Sequence, residues 1–241
     1  MRMALKTDCM KIIGLVFMLW LGSSCSDGDM VSSDTAAPKS TEKIVEAYKI
    51  EPGANLRSAL LGDLDLRGSD LRGANLIGAN LINADLRGAN LTGVNLTNAN
   101  LTNADLRDAN LTNSNMSDSN LYGVTLRDAN LFGANLERTF LRGANLTGAN
   151  FYTVNLSEAS LSEANLTAVN LYGANLTNAD LTGSKLFLAN LALANLTGAN
   201  LTDANLEGAV LTGAILTGAV LKGSILTDAV LTDANLADAR R

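Results

Sequence analysis

The chain of 241 residues contains no histidine. The side chain most often used as a general base near neutral pH, and most often as a metal ligand, is therefore missing. Only two cysteines occur, Cys9 and Cys25, and there is no phosphate-binding glycine loop. Ser, Asp and Glu recur at places set by a repeat. The expectation is a protein with no catalytic residue, no metal site and no cofactor. What remains is the chemistry of recognition. Arg67, Arg87, Arg107 and Arg127 recur every twenty residues. Asp65, Asp85 and Asp105 stand two places before the first three, and Asp108 and Asp128 follow the last two. Nearly all aromatics of the long repeat region lie between 122 and 187: Tyr122, Phe132, Phe140, Tyr152, Tyr172 and Phe187. Val210, Ile215, Val220, Ile225 and Val230 fill five successive places that are mostly Asn or Asp elsewhere.

All of these are held by one pattern. From Gly53 to Ala239 a five-residue unit repeats without insertion. Its 37 centres run from Leu56 to Leu236, and only Met116 and Phe151 are not Leu. Two places before the centre the residue is small, usually Ala; one place before, it is usually Asn or Asp. A fixed short period outranks every other signal in a sequence. A helix rotates about 100° per residue, so a step of five turns each Leu by roughly 140° and no apolar stripe forms. A straight strand alternates its side chains with period two, so an odd repeat flips each successive Leu to the other face. A short extended piece followed by a corner satisfies both constraints. Ala and Leu point inward, the Asn between them points outward, and pairs such as Thr-Gly, Arg-Gly or Thr-Asn turn the chain. Repeated corners wind the chain into coils, and one coil cannot bury enough surface to stand alone.

This pattern resembles the pentapeptide-repeat family, whose motif is A(D/N)LXX; Ala144-Asn145-Leu146-Thr147-Gly148 is one example. The resemblance covers residues 53–239. It implies an all-β fold, a right-handed quadrilateral β-helix with four repeats per coil. The chain then makes about nine coils and a rod about 45 Å long at the usual strand spacing.

With four repeats per coil, residues twenty apart share a side. The four arginines then form a ladder that could grip an anionic polymer, or that the neighbouring aspartates neutralise. Phe132, Tyr152 and Tyr172 stack on one side, with Tyr122, Phe140 and Phe187 projecting from nearby coils. Such rings could bind a sugar chain or a protein, or could simply stiffen the sheet as a packed ladder. The five aliphatic places circle the rod as an apolar collar. They are either a contact site for self-association through the C-terminal coils or a plain preference of β-branched residues for extended backbone.

Before the repeats, residues 1–24 read as an export signal: Arg2, Lys6 and Lys11 are basic, and Ile12 to Leu21 is an apolar run too short to span a bilayer. Met10-Lys11 reads as a second candidate start. Gly22-Ser23-Ser24-Cys25 resembles a bacterial lipoprotein signal, although Gly22 stands where that pattern has Leu. The resemblance implies lipid on Cys25 and a membrane-anchored protein of the cell envelope, periplasm-facing or at the outer membrane. An ordinary secretory peptide is the alternative. Residues 25–52 follow as lipidated N-terminus, tether and cap. Ser26 to Ser40 is polar and solvated, and Thr41 to Tyr48 suits one or two helical turns in which Ile44, Val45 and Tyr48 cover the first coil. Residues 53–241 form the solenoid. There, Leu60 falls at an outward place and Leu64 at an inward one that is normally small, as suits an end.

The net charge is −6, and removing residues 1–24, with three cations and one anion, makes it −8. That excludes a general binder of nucleic acid or anionic lipid, and leaves the N-terminal lipid as the expected membrane contact. The expected function is a non-catalytic scaffold for a protein partner or a glycan at the envelope. Two alternatives come from other classes. Some pentapeptide-repeat proteins mimic DNA and bind DNA gyrase, and some β-helices cleave glycans.

Overall fold

The computed structural model describes residues 48–241. The sequence expectations that fall on residues 1–47, namely the signal, Cys25, the tether and the contribution of Ile44 and Val45 to the cap, lie outside the described residues.

From Asn55 onward every inter-coil bridge is parallel and joins residues twenty apart, beginning with Asn55 to Asn75 and ending with Val220 to Arg240. The rod is therefore four-sided. The first side carries the bridge positions Asn55, Asn75 and their successors. The second carries Leu60, Asn80 and so on, the third Asp65 and Asp85, the fourth Asp70 and Asn90. Each side is followed by a corner of two residues.

The in–out pattern holds throughout the interior. The central Leu, Met or Phe residues from Leu56 to Leu221 are buried, and so are the small residues two places before them from Ala59 to Ala219, except the half-buried Ser69. Met116 and Phe151 are as dry as the leucines. At the irregular start Leu60 is exposed and Leu64 buried. Where Ser replaces the inward Ala, the hydroxyl either bonds back to a carbonyl, as Ser119 Oγ does to Met116 O, or finds no partner, as at Ser69, Ser114 and Ser184.

The backbone needs a full account, because a narrow rod cannot hide unpaired amides. In the quintet Ala74 to Gly78 four amides donate to backbone: Ala74 to Leu71 O, Asn75 to Ala54 O, Leu76 to Asn95 O and Gly78 to Thr97 O. The fifth, Ile77 N–H, donates to the side-chain Oδ1 of Asn75 at 3.2 Å. The outward Asn or Asp is therefore structural, closing an Asx turn over the one amide that the coil leaves free. Asp serves as well, as at Asp180 with Thr182.

Each corner is a four-residue turn closed by a bond such as Ala74 N–H to Leu71 O. Its third residue has positive φ at every quintet from Gly53 to Asp238. A side chain there costs roughly 1–2 kcal/mol unless it is Asn or Asp. Of the 21 non-glycine residues in this place, 13 are Asn or Asp, so the corner chemistry follows the conformational cost. The costly exceptions gather in mid-rod: Arg138, Thr153, Glu158, Glu163, Ala168, Leu188 and Leu193, with only Ser58 lying apart.

The two ends differ. At the start, Tyr48 and Ile50 pack against the core, and the Tyr48 hydroxyl accepts a bond from Leu60 N–H at 3.3 Å. Tyr48 thus covers the first coil from a bend, and the helical turns expected before it, over residues 41–47, lie outside the described residues. Ile50 is a capping residue that the sequence reading did not single out. At the far end Leu226, Leu231 and Leu236 are only half-buried, and nothing among the described residues covers them.

Candidate interaction surfaces

The arginine ladder lies at the third corner beside the aspartates of the third side. Each of Asp65, Asp85 and Asp105 receives two side-chain N–H groups from the arginine two residues later, at 2.6–2.9 Å. Each also accepts that arginine's backbone N–H. Across coils, Arg67 Nε lies 3.6 Å from Asp85 and Arg87 Nε 3.7 Å from Asp105. Charges of opposite sign thus alternate up the corner. The side-chain bonds from Arg67 lower the Asp65 carboxyl to about 2. Asp85 is lowered chiefly by Arg87. At Asp105 burial pushes the pKa up, yet the bonds from Arg107 and the adjacent cations bring the net shift down. The ladder ends where Thr125 replaces the next Asp, and Arg127 turns instead to Asp128, 3.0 Å away. Of the two readings of these arginines, the geometry is that of a self-neutralised ladder. Elsewhere Arg72 pairs with Asp70, and Arg138 bridges Asp118 one coil away and its neighbour Glu137.

The six aromatics do not form one surface. Phe132, Tyr152 and Tyr172 occupy the fourth corner, with ring centroids 5.5 and 5.1 Å apart and planes within 11° and 5° of parallel. Each ring covers its neighbour's face, so their edges and the Tyr hydroxyls line the column. Tyr122 sits at the second corner and Phe140, 58% exposed, on the second side, across the rod from that stack. Phe187 lies at the third corner, in the same column as Arg127 and two coils further on than Thr147.

Two residues missed by the sequence reading stand out here. Leu188 and Leu193 are 55% and 54% exposed, and both have positive φ. They bracket Asn190 at the two edges of the fourth side. The signal was present in the sequence, since these are the only leucines at the third place of a corner.

The collar lies on all four sides, with Val210 and Val230 both on the fourth. Ile225, Val230 and Ile215 are the most exposed and Val220 is half-buried. Its β-branched side chains supply no carboxamide, and the amides of Thr212, Thr217, Lys222, Thr227 and Thr232 accordingly lack the Asx bond that closes most other corners.

Four bonded ladders around a dry interior define a β-solenoid scaffold. The model of the pentapeptide repeats matches the chain in stretches that together run from residue 53 to 240. The chain is 36% identical to HetL, a pentapeptide repeat protein involved in heterocyst differentiation regulation from the cyanobacterium Nostoc sp. strain PCC 7120, over 75% of this chain and 89% of that one, with a TM-score of 0.39. A protein of the Arabidopsis thaliana thylakoid lumen is 31% identical over 49% of this chain and 68% of its own, with a TM-score of 0.27. QnrB1, a plasmid-mediated fluoroquinolone resistance protein, shares the fold at 19% identity, covering 73% of this chain and 83% of that chain, with a TM-score of 0.58. None of the curated proteins matches. The chain belongs to the pentapeptide repeat family, and its fold is the family's right-handed quadrilateral β-helix.

Proposed function

We propose that this pentapeptide-repeat scaffold is non-catalytic and works by protein–protein contact at the cell envelope, tethered by lipid on Cys25. The observation that carries the contact reading is the coincidence of strain and exposure at Leu188 and Leu193 beside the Phe132–Tyr152–Tyr172 column. Backbone cost and uncovered apolar surface are both tolerated where a partner compensates them. A protein fits this surface better than a glycan. Sugar rings pack on open aromatic faces, and here the faces are turned toward one another. The half-buried leucines of the last coil supply a second contact, end-on, for a protein partner.

Pull-down of the mature protein with mass spectrometry tests the contact, repeated with Tyr152→Ala and Tyr172→Ala. Loss of the recovered partners in both variants is expected; unchanged recovery would remove the aromatic column from the site. Fatty-acid labelling that disappears in Cys25→Ser, with the protein in the membrane fraction, is the expected result for the tether. Protein found wholly in the cytosol would instead favour DNA mimicry.

A further inference from the structure

We infer that the partner of the fourth side is a second copy of this chain, docked side against side. This rests on the contact reading above and names its occupant.

The fourth side and the corner after it carry no charged residue from Ala129 to Gly213. The third corner, which borders the same side, is also uncharged from Thr147 to Leu188. The other sides are not bare over this span: Glu137, Arg138 and Glu158 line the first corner, Arg142 and Glu163 the second. A basic partner would find no carboxylate to hold on the bare panel. Two copies of an acidic chain, by contrast, repel one another everywhere except where charge is absent.

The panel is also inexpensive to dry. Its centre is a column of asparagines whose carboxamides bond to one another. Asn150 Nδ2 donates to Asn130 Oδ1 at 3.0 Å, Asn170 to Asn150 at 3.1 Å and Asn190 to Asn170 at 3.1 Å. The same oxygens accept the backbone N–H of Phe132, Tyr152 and Tyr172, and Asn190 Oδ1 accepts that of Ala192. Polar groups that are already bonded lose little on burial. Around this column stand Phe132, Phe187, Leu188, Leu193 and Val210, exposed by between 36% and 55%. With the half-buried edges of Tyr152 and Tyr172 they offer on the order of 500 Å² of exposed surface per copy. A pair would bury about 1,000 Å², the lower bound for a specific contact and the range of weak, concentration-dependent dimers. A flat patch meeting its own copy gives a closed two-fold pair rather than a filament.

The decisive variant is Leu188→Asn with Leu193→Asn. Asn is at home at positive φ, so this change relieves backbone cost while removing the apolar edges of the panel. Sedimentation equilibrium of the full chain should show a concentration-dependent species of twice the 25.1 kDa chain mass. The double variant should weaken that association at least about thirtyfold, with a melting temperature equal to or above that of the wild type. A parallel variant, Ile215→Thr with Ile225→Thr, alters the collar and should leave the association unchanged. The inference is overturned if the wild type is monomeric, if the Asn variant still dimerises, or if only the collar variant dissociates. A monomeric chain that still captures a foreign protein through Tyr152 and Tyr172 would sink the self-pairing and leave the scaffold reading standing.

Discussion

Along a single corner of the rod the same architecture carries two opposite surfaces. In the early coils the third corner holds Arg67, Arg87 and Arg107, each clamped to an aspartate and seated beside Gly68, Gly88 or Asp108. Five coils after Arg87 the equivalent places are Phe187 and Leu188, with no charge and a side chain forced to positive φ. Beneath both stretches the interior is the same column of buried leucines, Leu66 to Leu106 in one and Leu186 in the other. The solenoid therefore separates two roles that a globular fold mixes. Inward places and the turn-closing Asn or Asp set stability, and the first place of each corner is free to differ. The early corner satisfies itself, and the later one does not.

That contrast can be broken from inside. Leu86 and Leu186 lie under the two surfaces and are equally dry. Leu86→Asp and Leu186→Asp should both cost more than about 4 kcal/mol, because each buries an unpaired carboxylate. Leu146→Asp in the coils between them should do the same. Urea denaturation followed by circular dichroism checks this, and a mild effect at one of the sites would mean that the interior is not uniform.

The next largest effect comes from exchanging the corner residues. Gly88 has φ of +64° and open space where a Cβ would stand. Gly88→Leu should therefore lose about 1–2 kcal/mol through backbone strain alone, whereas Leu188→Asn should gain a fraction of that. Opposite signs in the two melting temperatures are the expected result.

Acid should distinguish the two regions more gently. The folded values of Asp65, Asp85 and Asp105 lie below their ordinary value of 3.8. Their contribution is complete above that value and is lost as pH falls through the depressed range, to about 2 for Asp65. Asp65→Asn, Asp85→Asn and Asp105→Asn combined keep the Asx turns but remove the titration. The variant should melt lower than wild type at pH 7 and lose less on acidification to pH ~2.5. An equal loss in both would remove the ladder as the source of acid sensitivity. The smallest effect should be Thr147→Asp on the outer surface, within about 0.5 kcal/mol, read by the same denaturation.

Much of this was legible in the residues. The alternation of Ala, Asn and Leu fixed which side chains are inside, even at the irregular Leu60 and Leu64, because a dry interior accepts only small and aliphatic groups. The neutralising role of Asp65, Asp85 and Asp105 was one of two open readings, and it became decidable only with the distances. The six aromatics read as a cluster because they are near in sequence. The winding of the coils places Tyr122 and Phe140 across the rod from Phe132, Tyr152 and Tyr172. Leu188 and Leu193 were overlooked although no other leucine stands at the third place of a corner; the cost of that place shows only in its φ. The turn-closing role of the outward Asn was likewise hidden, since it depends on which single amide the coil leaves unpaired.

By itself, then, the sequence determined the period, the dry interior, the sites of bending and the scarcity of catalytic groups. Each of these follows from side-chain polarity and local backbone preference. The family resemblance implied that residues twenty apart become neighbours; only the tertiary structure decided which charges pair and how closely the rings stack. The angle turned at each corner is set by the packing of four walls around a shared interior, and no single quintet contains that information.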